Sequence, residues 1–212
     1  MSLLRHLPVI PTIFVALAVA AMIALGFWQI DRAGQKADLI ALFRANLDRP
    51  AMTFPTMGPV PRDAMFRRSS VTCIDVVGWR TEGGRSVDDV SGSRYIAECR
   101  TGAEGPGALI DLGVSPDPGV KPRWPGGVAS GMITTEPDHS SMLARLFGGG
   151  EVLRPMLVAD EAAAGLGASA QPSPDTVPNN HISYAVQWFL FAAAALVIYV
   201  LAVAKRLKDE GS

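Results

Sequence analysis

The chain has 212 residues, 49% hydrophobic, 18% charged and 7% aromatic, and 19 Lys+Arg against 20 Asp+Glu leave a net charge of −1. That balance excludes a basic nucleic-acid-binding surface and a disordered acidic chain. A mean hydropathy of +0.24 is high for a soluble globule with so few aromatics, and membrane spans would account for it.

The first element is 13–30 (IFVALAVAAMIALGFWQI), 18 residues without a charge. At ~1.5 Å per residue it is roughly 27 Å long, close to the ~30 Å hydrocarbon core of a bilayer. Leu7, Val9 and Ile10 can lengthen it. Cleavage at its small residues would leave the still-apolar stub MIALGFWQI, unlike a signal peptide, so it reads as an uncleaved anchor preceded by a short cytoplasmic N-terminus, 1–12. The absence of an Arg/Ser-rich transit segment points to a bacterial chain. Residues 31–49 follow as a helical extension. Leu39, Ile40, Leu42, Phe43 and Leu47 recur at helical spacing, and Pro50 sets the stop.

Residues 31–181 hold 19 of the 21 Gly and 14 of the 16 Pro, which argues for strands and loops over 50–167. Strands are predicted at 70–77, 93–100, 108–114 and 128–134, and short helices at 142–147 and 160–166. Residues 168–181 read as a linker back to the membrane. The second span is 182–204 (ISYAVQWFLFAAAALVIYVLAVA), 23 residues without a charge, followed by the tail 205–212. The fold expectation is a membrane protein in which two transmembrane α-helices flank a β-rich extracytoplasmic domain, antiparallel and small-barrel or sandwich-like.

Orientation follows from Lys205, Arg206 and Lys208 after the second span, against no Lys or Arg between Arg154 and that span. Both termini are then cytoplasmic and the bulk is periplasmic, at a bacterial inner membrane. Arg32, Lys36, Arg44 and Arg49 after the first span argue the other way. A segment longer than ~60 residues, however, translocates largely regardless of charge.

Cys73 and Cys99 fall in two predicted strands; a disulfide and two buried thiols fit equally. Scattered His6, His139 and His181 give a copper or zinc site little support. The GGG at 148–150 lacks the Lys and helix of a phosphate loop, and Asp88-Asp89 reads as a solvated turn.

The informative residues stand where both spans leave the membrane on the outer side. Trp28, Arg32 and Lys36 are spaced i, i+4, i+8, with Gln29 beside them; His181, Tyr184 and Trp188 are spaced i, i+3, i+7. Each has an ordinary explanation. The aromatics suit an interfacial belt, Arg32 and Lys36 suit headgroup anchors, and Asn180 suits an N-cap. Together they suit an amphiphilic planar ligand with a metal and carboxylates. His would be the axial ligand, aromatics would lie against the ring, and the cations would meet the acids.

The run GFWQIDRAGQK (26–36) resembles the G-x-W-Q-x-x-R-x-x-x-K signature of the Surfeit-one family of cytochrome c oxidase assembly factors, and NNHISYAVQWF (179–189) resembles its N-N-H-x-x-Y-A-x-x-W-F signature. The middle matches loosely. In ALIDLGVSPD (108–117) only Gly113 fits an Arg-Gly-Trp pattern, with Leu112 and Val114 beside it, and Gln35 replaces the aromatic before Lys36. The resemblance implies a non-enzymatic role in building haem-copper oxidase where haem a enters the catalytic subunit. His181 is then the haem-iron ligand, and Tyr184, Trp188, Trp28, Gln29, Arg32 and Lys36 are the haem-binding residues. Implied partners are the catalytic subunit, membrane lipid, and haem a synthase or a respiratory supercomplex; nucleic acid is not among them. The alternative is a stable accessory subunit of an oxidase or supercomplex without its own haem. A two-span sensor or transporter accessory is less well served, since no signalling domain and no intramembrane charge is visible.

Overall fold

A computed structural model describes residues 8–103, 105, 107–146, 148–150 and 152–209. Arg5, His6 and Leu7 of the predicted N-terminus, Phe147 of the first predicted short helix, and residues 210–212 of the predicted tail lie outside the described residues. The helices are α1 (Val9–Leu47), α2 (Met142–Leu146) and α3 (His181–Asp209). The strands are β1 (Met52–Thr53), β2 (Arg68–Cys73), β3 (Asp75–Arg85), β4 (Ser91–Arg100), β5 (Ala108–Ser115), β6 (Gly127–Thr135) and β7 (Pro155–Ala159). They form two compact units. One gathers residues up to Leu39 and from Pro178 on; the other is Ile40–Val177.

In the first unit α1 runs without a break from the apolar segment into the amphipathic one, because 31–47 contains no Pro and a single Gly. Helices α1 and α3 are long and apolar enough to cross a membrane, and only 6% of the most apolar window of each is buried. A core helix of a soluble protein would be mostly covered. Ile13, Phe14, Leu17, Leu190, Phe191 and Leu201 instead stand exposed, as an integral membrane protein requires.

The second unit is built on one seven-stranded sheet in the order β1-β2-β6-β7-β5-β4-β3. Strand β1 pairs parallel with β2, and β5 with β7; the other four pairs are antiparallel. The expected purely antiparallel arrangement is thereby corrected to a mixed sheet. β7 is the source of the difference. It is a five-residue run, PMLVA, buried at every position. Its continuous apolarity suits a central strand covered on both faces, and its Pro sits at the first position, where the sheet tolerates one.

The sheet cannot be flat. β2 and β4 are four strands apart in the order, roughly 19 Å at ~4.8 Å per step. Yet Cys73 and Cys99 are joined as a disulfide with Cα atoms 5.2 Å apart, which decides the question of the cysteines. Ile74 alone separates β2 from β3 and donates its N–H to the Arg100 carbonyl. The predicted strand 70–77 is therefore two strands meeting at Ile74, where the chain passes from one flank of the curled sheet to the other. The core enclosed is made largely of small side chains, Ala64, Ala97, Ala108, Ala129, Ala159 and Ala163, around Ile110, Leu112, Ile133 and Leu157. Small residues let strands of a tightly curled sheet approach across the interior.

Residues 160–166 are not the expected helix. Asp160 donates its N–H to Ser130, Ala163 donates to Leu112, and Ala164 bridges Arg123. Backbone groups that a helix would use internally are taken by the sheet, which overrides the helix propensity of EAAA. The expected linker is likewise corrected over its first part. Ser169 is 1% exposed and bridges Ser86, while Gly167 and Val114 exchange backbone hydrogen bonds. Ser169 also donates to Oδ1 of the fully buried Asp111 at 2.6 Å, and Arg94 Nε lies 3.2 Å from Oδ2. Burial pushes the Asp111 carboxyl above its ordinary range, against the opposing pull of Arg94, Ser169 and the Gly113 N–H. Gly113 has φ +131, and a Cβ there would fall 2.6 Å from the Gly167 carbonyl oxygen, so only glycine lets β5 meet this returning segment.

At its entry into this unit α1 packs Phe43 against Phe66, ring centroids 5.1 Å apart. The fully buried Asn46 donates to the carbonyls of Arg62 and Met65 at 2.9 and 3.0 Å.

Candidate functional site

In the helical unit most shielded positions of α1 fall on a single stripe, Thr12, Val15, Val19, Met22, Gly26, Gln29, Ala33 and Lys36, with Ala18 and Leu39 part-shielded beside it. The steps alternate between three and four residues, the 3.5-residue period of a coiled-coil seam. On α3 the matching stripe is His181, Ala185, Trp188, Ala192, Ala195 and Tyr199, with Phe189 part-shielded beside it and Val203 and Leu207 beyond it. The helices meet antiparallel along these stripes. Thr12 hydrogen-bonds Tyr199 at one end, and Asn179 Nδ2 donates to the Ala33 carbonyl at 3.2 Å at the other. Between them the contact is close. A Cβ on Gly26 would sit 2.6 Å from the Phe189 ring, which meets Phe27 edge-on at 5.4 Å. Small residues at the seam and a few interhelical hydrogen bonds are how helices associate in lipid.

A second side-chain polar pair along this seam is Gln29 and His181. His181 Nδ1 lies 2.6 Å from Gln29 Oε1. An amide oxygen only accepts, so Nδ1 carries the proton, and a neutral ring then holds its lone pair on Nε2. For Nε2 no partner occurs among the described residues. Asn180 occupies the N-cap position: α3 begins at His181, and the Tyr184 N–H donates to the Asn180 carbonyl. Lys36, Pro178, Asn180, His181 and Tyr184 line a shallow cavity of 290 Å³.

The structure thus brings Gln29, Lys36, His181 and Tyr184 together and leaves three of the sequence-derived residues outside that cavity. Trp28 is 55% exposed on the flank of α1. Trp188 turns its ring edge-on to Phe191 at 6.3 Å. Arg32 donates to Gln35 Oε1 at 2.7 Å, and Gln35 Nε2 donates to Asp31 at 2.7 Å, so the guanidinium is tied along its own helix. Gln35, the residue that departs from the signature, is what ties it. Pro178 is the lining residue that sequence reasoning did not single out; it carries no chemistry and shapes the entry to α3.

The donor set fits an iron-porphyrin in part. A histidine whose second nitrogen donates to a carbonyl oxygen has the orientation and tautomer common among metal-bound imidazoles. Lys36 supplies one cation within reach of the same cavity for a carboxylate. Among the described residues no group of three or more His, Cys, Asp or Glu could hold a bare metal ion.

A family model described as the SURF1 family matches residues 16–193, most of the chain and both halves of the helical hairpin. No curated protein matches the chain at a significant level. The chain belongs to the SURF1 family, a family of cytochrome oxidase assembly factors and the one its two motifs resemble.

Proposed function

From membership of the SURF1 family we propose that this protein assists haem a insertion into the catalytic subunit of a haem-copper cytochrome c oxidase, or stabilises that subunit while haem a enters. α1 and α3 anchor it in a bacterial inner membrane with both termini in the cytoplasm and the sheet unit in the periplasm. His181 would hold the haem iron and Lys36 would pair with one of the haem's carboxylates, while Gln29 orients the imidazole by accepting from Nδ1. Tyr184 flanks the same cavity. The observation that carries this reading is the Gln29–His181 hydrogen bond, 2.6 Å long, between α1 and α3 at the cavity that Lys36 and Tyr184 also line. The disulfide supports the placement of the sheet unit in an oxidising compartment. A carrier of this kind needs binding and release, and no nucleophile or general base is invoked.

The test is purification of the full chain from cells that make haem a, followed by an absorption spectrum and identification of co-purifying subunits. The wild type is expected to carry haem a substoichiometrically, and His181→Ala to insert normally but lose it. A His181→Ala protein with an unchanged haem spectrum refutes the ligand role. A haem-free wild type held stoichiometrically by mature oxidase supports the accessory-subunit reading instead. Orientation is checked separately: a reporter after Ser212 is expected to be active only in the cytoplasm, and one inserted at Gly149 only in the periplasm. The reverse pattern removes the outer-face placement.

A further inference from the structure

The flank of α3 that runs on from the cavity into the span carries an amide without a use inside the hairpin. Tyr184, Gln187 and Phe191 are spaced i, i+3, i+7, so they follow one line down the helix beside the seam. Tyr184 starts that line as a lining residue of the cavity. Tyr184 and Phe191 are 50% and 56% exposed, and Trp188 turns its ring edge-on to Phe191 from the seam. Gln187 stands exposed between these rings and has no hydrogen-bond partner among the described residues. It follows His181 by six residues, about 9 Å along the axis at ~1.5 Å per residue, and lies inside the charge-free run 182–204.

A membrane interior offers no water to an amide, and an unpaired polar group there is costly. Across the seam that cost is met within the chain, where Thr12 pairs with Tyr199 and Gln29 with His181. Gln187 points away from the seam, so its partner must come from a bound molecule. A planar ligand held at His181 with its carboxylates toward Lys36 has its opposite edge deeper along α3, on the line of Tyr184, Gln187 and Phe191. The aromatic rings suit contact with such a ligand. The amide, both donor and acceptor, calls for a hydroxyl or carbonyl on the edge it meets. Haem a and haem o carry a hydroxyl on the ring edge opposite their carboxylates, at the carbon that also bears the isoprenoid tail; haem b has a plain vinyl group there. We propose that Gln187 hydrogen-bonds this hydroxyl and so selects hydroxyalkyl haems over haem b, an inference that rests on haem binding at His181 as proposed above.

The experiment titrates the full chain, purified haem-free in lipid nanodiscs, with haem a, haem o and haem b, and follows the Soret band and the quenching of tryptophan emission. The wild type is expected to bind haem a and haem o alike and haem b about tenfold more weakly. Gln187→Leu is expected to weaken haem a and haem o about tenfold each, to leave haem b unchanged, and to keep the Soret position that reports ligation. Val186→Leu, at an exposed neighbouring position, should alter none of the three titrations, and all variants should share one circular dichroism spectrum. A wild type that binds none of the haems removes the haem reading and this proposal with it. Saturable binding with the same haem a and haem o affinities in wild type and Gln187→Leu overturns the hydroxyl contact alone. A loss confined to haem a assigns the amide to the formyl group that haem o lacks, and overturns it too. Loss of co-purifying oxidase subunits from Gln187→Leu, with all three titrations unchanged, assigns the amide to a partner's helix and likewise overturns it.

Discussion

Loss of the Cys73–Cys99 bond should cost the sheet unit more than loss of any single core methyl group. The bridge spans a sequence separation of 26 residues. Closing a loop of that length removes about 12 cal/mol/K of chain entropy from the unfolded state, about 3.5 kcal/mol at 25 °C. Both cysteines are 2% exposed, so a Cys73→Ala/Cys99→Ala variant also gives up some buried contact. An ordinary core truncation from Ile to Val costs roughly 0.5–1.5 kcal/mol by comparison. The bridge also holds together two flanks of the sheet that no β-ladder joins among the described residues, so unfolding should begin at the Ile74 junction. The assay is urea unfolding of the full chain in detergent, followed by the emission of Trp79 and Trp124 in a Trp28→Phe/Trp188→Phe background. The double alanine variant is expected to lose about 3–4 kcal/mol, several hundred-fold in the folded-to-unfolded ratio. The native unreduced protein should also resist thiol labelling. A loss below about 1 kcal/mol would show that the small-residue core alone sets the curl, and that the unfolded chain already holds the cysteines together.

Two further perturbations test the packing. Asp111→Asn keeps an oxygen to accept from Ser169 and removes the carboxyl whose affinity for protons burial raises above its ordinary 3.8. The folded state then binds more protons at this site than the unfolded one, so its contribution to wild-type stability is present below that ordinary value and is lost as pH rises through the folded value. The Asn variant should gain on the wild type in urea midpoints as pH rises, and a constant difference from acid to neutral pH would contradict the buried-carboxyl assignment. Gly26→Ala should be nearly neutral, because the ring end of Phe189 can swing aside and helix propensity gains ~1 kcal/mol. Gly26→Leu should force α1 and α3 apart and abolish disulfide cross-linking in a Thr12→Cys/Tyr199→Cys background, whereas retained cross-linking would show that Gly26 is not at the seam.

Much of the fold was legible because it rests on local pattern. Two long charge-free runs and an uninterrupted helical period gave α1 and α3 to within a few residues, and short runs bounded by Gly, Pro and polar turns gave the positions of β4, β5 and β6. The misreadings share a physical cause, which is tertiary demand on backbone groups. Residues 160–166 have helical composition, but the end of β7 leaves donors and acceptors on β5 and β6 that this segment satisfies. Val71–Cys73 and Asp75–Val77 read as one strand because both halves are apolar and alternating, and nothing local records that Ile74 crosses between the flanks of a curled sheet. Ser169 reads as loop because its burial depends on Asp111, 58 residues away.

Helix geometry explains which of the candidate residues face one another, and why the equal steps of four read from the sequence do not follow the seam. A step of four residues overshoots a 3.6-residue turn by about 40°, so Trp28, Arg32 and Lys36 drift by about 80° around α1 rather than sharing one line. The seam alternates steps of three and four and therefore follows Gly26, Gln29, Ala33 and Lys36. Arg32 falls about 100° from Ala33 and outside it. With Gln35 one turn along to accept its guanidinium, it is also held there. The residue that faces His181 is thus the uncharged Gln29, and this difference is chemical. An arginine against the imidazole would offer only donors and could not accept from Nδ1–H. Gln29 Oε1 can accept, so that in a neutral ring the open lone pair falls on Nε2. A haem site using this hairpin would therefore depend on Gln29 for the state of its ligand and on Lys36 for its acid, with Arg32 contributing at most through the long-range field of a charge at the membrane surface.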